Sequence, residues 1–309
     1  MIPARPQSAG LRDVYVVWAL FFLAAIAVFE TYWRLPPSET WKVHNTGFVG
    51  GAGRAFVFLS FSCALAAIGV LPIVVDRLGD RRADFAGLAA LVLCLTVALP
   101  GVQTESHLDP KWANLPAVLG VAIAFGLTVW AGRSGRREFP RASRRGDIAR
   151  LIVGGISLFS AAPYIAAELG FFLDGVPVLG SIFITGEIRP EPGAGYSHAA
   201  VHHGHHHGLD GFLLTATALL LSRLVGSIRR PLLRTVTAIY LALLLVYGLT
   251  NQAQDLWTEQ VVKRGWTSWE IPEVLHPAVS APWAAMIGCG LLIFALFMRP
   301  HREPFARTA

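Results

Sequence analysis

The sequence predicts an all-α fold: a polytopic integral membrane protein, with about eight transmembrane helices in one bundle that takes in the whole chain, 1–309. Three observations predict it. The chain is 54% hydrophobic and only 15% charged, where a soluble domain carries about a quarter charged residues. Apolar runs of roughly the 17–25 residues needed to cross a bilayer recur along its length. Basic residues crowd into alternate connections between those runs.

The runs fall at 14–33, 55–75, 85–102, 114–132, 149–173, 209–226, 232–250 and 281–298. The first is long and has no small-residue cleavage site, so it reads as a retained helix rather than a signal peptide. Gly47, Gly50, Gly51 and Gly53 precede the second run. No Lys-Ser/Thr follows them, which rejects a phosphate loop; Gly47 and Gly51 suit a turn and a close helix approach. Pro72 and Pro163 interrupt runs in which membrane helices tolerate proline. Cys63, Cys94 and Cys289 all lie in apolar runs without CxxC spacing. Helix packing accounts for them better than a disulfide or thiolate zinc site.

Orientation follows from the 26 Lys and Arg residues. Most sit near the termini and in the connections around 77–82, 133–150 and 223–234. That distribution puts both termini in the cytoplasm. The Arg-rich loop 133–150 then reads as a cytoplasmic anchor on anionic membrane lipid, not a nucleic-acid patch. Lysine occurs only at Lys42, Lys111 and Lys263, which points to a GC-rich bacterial genome and a plasma-membrane protein. Trp33, Trp41, Trp112, Trp257, Trp266 and Trp269 fall at the outer level as an aromatic belt.

The outer loop 174–208 carries the densest chemistry. His198, His202, His203, His205, His206 and His207 lie in it, followed by Asp210. Imidazole suits zinc, copper, iron and nickel. On a helix, His198, His202 and His205 would share one face, and His203, His207 and Asp210 a second. Either triplet offers three ligands with an open position. The topology puts His44, His107 and His276 on the same side, in three other outer loops. The plainer reading is a solvated tract that collects metal loosely. The His198-xxx-His202-His203 spacing resembles one histidine box of the membrane di-iron desaturases and hydroxylases. Those families use several boxes facing the cytoplasm; here there is one cluster, facing outward.

Glu168 is the sharpest single residue, expected about one turn inside the outer end of the fifth run. A carboxylate there faces the bundle as a ligand or proton-handling catalytic group, or reaches the interface to pair with an arginine such as Arg189. Asp210 opens the sixth run, where helix-terminal amides stabilise an acid; it also suits a contact to a ligating imidazole. Asn251, Gln252, Gln254 and Asp255 form a polar strip expected in the last outer loop, 251–280. No second deep acid is expected to join Glu168, which weighs against transport. The leading expectation is a metal-dependent enzyme, hydrolase or oxidoreductase, using zinc, iron or copper on a lipid-like or periplasmic substrate. Metal transport or sensing, and an accessory subunit with incidental histidines, remain as alternatives.

Overall fold

The computed structural model describes residues 11–36, 43–99, 102, 109–134, 146–190, 197–201 and 207–299. It is a helical, multi-pass architecture. Six helical stretches are long and apolar enough to cross a membrane: Arg12–Arg34, Gly47–Leu78, Trp112–Arg133, Asp147–Glu168, Pro231–Val262 and Ala281–Met298. In chain order the helices are α1 (Arg12–Arg34), α2 (Gly47–Ser60), α3 (Ser62–Leu78), α4 (Arg81–Leu95), α5 (Leu115–Arg133), α6 (Asp147–Glu168), the single turn α7 (Leu179–Ile182), α8 (His207–Ser222), α9 (Pro231–Trp257) and α10 (Ala281–Ile293).

Two expected spans come out short. At about 1.5 Å per residue, the 15 residues of α4 and the 16 of α8 reach about 23–24 Å. A bilayer core is about 30 Å thick. The start of α4 is set by Asp80, whose carboxylate accepts from the Arg82 N–H at 2.7 Å. That cap places Arg81, Arg82 and Asp84 in the first turn, where they shorten the apolar stretch.

The second span is a pair of helices, α2 and α3, jointed at Phe61 (φ −112°, ψ −83°). It is the central element, 78% buried, and α1, α5, α8 and α9 pack around α3. The glycines before it act as expected. Gly47 has φ +57°, and a Cβ at Gly51 would run into the Phe29 carbonyl of α1.

Several boundaries differ from the sequence reading: the second span starts at Gly47 rather than 55 and α4 ends at Leu95 rather than 102, and two further differences bear on the site. The fifth span ends at Glu168, not 173. Gly170, at φ +86°, turns the chain left-handed there. The Gly170 N–H reaches the Ala167 carbonyl at 2.9 Å and the Phe171 N–H the Ala166 carbonyl at 3.1 Å, which is a Schellman stop. Glu168 is therefore the last helical residue rather than one turn inside. The seventh span is longer than expected. Helix α9 runs to Trp257 and continues as a π-helical turn, Thr258–Val262. Residues 251–262, expected in a loop, are helical because their polar side chains turn inward.

Two strands, β1 (Ile188–Pro190) and β2 (Ser197–Ala199), pair antiparallel with Arg189 opposite His198. His198 thus lies in a strand, which overturns the helical face expected for His198, His202 and His205.

At one end of the bundle, ion pairs tie helix ends together. Arg223 bonds Asp13 at 3.0 and 3.1 Å and approaches Asp147 at 3.3 Å. Arg230 bonds Asp84 at 2.8 Å. The starts of α1, α4, α6 and α9 and the end of α8 therefore share this end. The histidine-bearing loop belongs to the opposite end.

Candidate functional site

The polar end of α9 organises the candidate site. Tyr247, Asn251, Asp255, Glu259 and Lys263 recur every fourth residue, and all are buried. On an α-helix, four residues overshoot a full turn by about 40°. The π turn widens the helix where Glu259 and Lys263 must stay in line, and such turns are frequent at functional sites.

Glu259 and Lys263 form an ion pair at 2.7 Å, with side chains only 2% and 1% exposed. Lys263 Nζ also donates to the Ala200 carbonyl at 3.4 Å. Gln260 brackets Ile184, accepting from its N–H and donating to its carbonyl, both at 2.7 Å. Arg264 donates to the Ile182 carbonyl at 2.6 Å. The loop between α6 and α8 is thus built on the end of α9. Asp174 closes it from the other side, accepting from the Thr185 hydroxyl, the Gly186 N–H at 2.7 Å and the Thr185 N–H at 3.2 Å. Burial alone would raise the Asp174 carboxyl, but these hydrogen bonds outweigh it and hold the group below its ordinary value.

The same arrangement anchors both ends of the segment 202–206. On its N-terminal side, the Val201 N–H donates to the Thr185 carbonyl at 3.0 Å, and Val201 is 1% exposed. On its C-terminal side, the Gly208 N–H donates to Asp255 Oδ2 at 2.7 Å. Gly208 presses on the Tyr164 ring of α6 so closely that a Cβ would overlap it. Helix α8 then crosses α9 in backbone contact. A Cβ at Gly211 would meet the Gly248 carbonyl at 2.6 Å, and one at Gly248 the Gly211 carbonyl at 2.8 Å.

Inward of this anchor lie more buried ionisable groups. Glu168 is 4% exposed, Asp210 8% and Arg54 5%. Glu168 thus lies inside the bundle, where the Thr31 hydroxyl donates to its carbonyl at 2.9 Å. Asp210 lies beside Ser62 of α3 and within electrostatic range of Arg54, Glu168 and Asp255. Arg54 stacks over the Tyr32 ring, 5.7 Å from its centroid. Contrary to the sequence reading, an acid from another helix, Asp210 of α8, lies within electrostatic range of Glu168, and Asp255 of α9 lies within range of Asp210. Arg189, the alternative partner of Glu168, pairs with Glu187 at 2.6 Å.

The other expected residues scatter. His44, with its side chain 76% exposed, meets Asp109 Oδ2 through Nδ1 at 2.7 Å. His276 is half-buried, in the loop where the Tyr247 hydroxyl donates to the Leu275 carbonyl at 2.9 Å. His207 is the first residue of α8. His107, His202, His203, His205 and His206 lie outside the described residues. Among the described residues, no three His, Cys, Asp or Glu side chains are grouped to hold a metal.

Sequence reasoning missed Glu259 and Lys263 as a buried pair and Arg54 as an interior cation. The four-residue repeat from Tyr247 to Lys263 was the available signal. Comparisons with family models, with curated proteins and with solved structures found no match to this chain.

Proposed function

We propose that the chain is a membrane enzyme with a transition-metal site, zinc, iron or copper, at the outer end of its bundle. Its substrate is lipid-like or periplasmic, and its reaction a hydrolysis or an oxidation. The ligands come from His198, His202, His203, His205, His206 and His207, with Asp210, His107 and His276 as further candidates. His44, exposed and turned to Asp109, is the candidate the geometry favours least. The observation that carries this reading is the double anchor. Val201 and Gly208 are both fastened to the loop and helix built around α9, with Asp255 directly under the end of the tract. A loose collecting tract has no use for two fixed ends. A bound metal would supply Lewis acidity there. Glu168 and Asp210 hold and pass the proton, and Arg54 moderates their charge.

One observation favours a second reading, metal transport or sensing: Glu168, Asp210 and Asp255 converge from three helices. Against it, α3 and α8 continue inward with buried Ala64, Ala67, Leu71, Leu214 and Leu221, and the buried polar groups among them, Thr215 and Thr217, carry no charge.

We also propose that α4 and α8 complete eight passes, with both termini in the cytoplasm of a bacterial plasma membrane. The alternation of helix ends and the Arg-rich connections support this.

The test is metal analysis of untagged protein, with uptake by proteoliposomes measured in parallel. About one or two ions per chain, held through dialysis and not transported, are expected. Weak binding without saturation would overturn the site. Transport of the metal would favour the second reading.

A further inference from the structure

We propose that the exposed face of α1 is a binding groove for a single anionic glycerophospholipid, at the end of the bundle opposite the histidine tract. Arg12, Tyr15, Val16, Ala19, Leu23 and Ile26 form one exposed stripe at helical spacing. A shallow, open depression lies against its first two turns, lined by Arg12, Tyr15, Val16 and Ala19. Helix α5 forms one bank. Tyr15 lies over Gly132, where a Cβ would meet its hydroxyl, and Phe125 sets its edge against Trp18 at 5.5 Å.

Charge selects the occupant. Arg12 enters no ion pair among the described residues, whereas its neighbours at this end are matched, Arg223 with Asp13 and Asp147, and Arg230 with Asp84. With Arg12 on its lining, the polar mouth of the groove is positive. A guanidinium and a phenol hydroxyl side by side offer donors to a phosphodiester. Length selects it too. Val16 to Ile26 spans about 15 Å of helix, half of a bilayer core of about 30 Å. A headgroup held at Arg12 and Tyr15 would therefore lay one acyl chain along the apolar remainder of the stripe. A zwitterionic headgroup would bring its own cation to a mouth already positive.

This inference does not depend on the metal site. The experiment is native mass spectrometry of the full chain in neutral detergent, titrated with phosphatidylglycerol or phosphatidylcholine. Wild type should retain one phosphatidylglycerol in preference to phosphatidylcholine. Arg12→Gln should lower that retention about tenfold, the loss of one charge-assisted contact. Ala19→Trp, which fills the groove and leaves Arg12 in place, should lower it as well. Arg81→Gln removes the same charge at the same end outside the groove and should leave it unchanged. Equal retention of both lipids would overturn the proposal. So would an equal loss in Arg81→Gln, which would mean diffuse attraction, or displacement of the lipid by inorganic phosphate, which would mean a free-anion site.

Discussion

Gly208 and Asp255, 47 residues apart in sequence, are joined by a 2.7 Å hydrogen bond from a helix-starting N–H to a buried carboxylate. The first turn of α8 thereby receives a carboxylate cap from another helix, and the chain leaving the histidine tract is held to α9 at Gly208. Asp255→Ala leaves the buried Gly208 N–H without this acceptor, at a cost of about 1–3 kcal/mol. Asp255→Asn, which keeps an oxygen acceptor, should cost less. Melting temperatures in detergent would show the order wild type, Asn, Ala. An alanine variant as stable as wild type would mean that the anchor contributes nothing.

The Glu259–Lys263 pair makes a sharper energetic prediction. Lys263→Met strands a carboxylate in the interior and should cost about 3–5 kcal/mol. Adding Glu259→Gln removes the stranded charge and should recover much of that loss. A double-mutant cycle measures the coupling. If the two single losses simply add, the residues do not act as a pair.

Acid should loosen the contact between the first and second outer loops. Burial alone would raise the Asp109 carboxyl, but hydrogen bonds from the His44 ring, the His44 N–H and Asn45 outweigh it and hold the group below its ordinary 3.8. A carboxylate depressed in the folded state contributes stability that is full above the unfolded value and disappears as pH falls through the folded one. The melting-temperature gap between wild type and Asp109→Asn should close as the pH falls below about 4. A gap independent of pH would show that the carboxylate charge is not what holds the loops.

Topology is open to direct labelling. With Cys63, Cys94 and Cys289 replaced, Pro140→Cys should resist an impermeant thiol reagent in intact cells and Gly195→Cys should react. The reverse pattern would turn the histidine tract to the cytoplasm and revive the likeness to the di-iron desaturases.

The helical, multi-pass fold was legible because apolar run length reports directly on the solvent each segment meets. Gly47 and Gly51 were readable for the same kind of reason, since a turn and a close approach leave few residue choices. The end of α6 was missed because Leu169, Phe171 and Phe172 continue the apolar run while Gly170 reverses the backbone. The length of α9 was missed because Asn251, Gln252 and Asp255 look like a solvated helix end. They are interior because α6, α8 and the outer loop bring them partners, such as the Ser157 hydroxyl, 2.7 Å from the Gln252 side-chain carbonyl. Hydropathy registers polarity; it does not register whether a partner arrives from 95 residues away.

The double anchor also has a consequence for concentration. A segment free at one end samples a volume set by its full length, and its ligands meet a metal already bound to one of them only rarely. For the proposed metal site, holding both Val201 and Gly208 would present the histidines that lie between them in sequence at an effective concentration on the millimolar scale typical of short tethers. In that proposal, recruiting a second imidazole to a metal held by the first would need less ordering of the chain, because Val201 and Gly208 are already held.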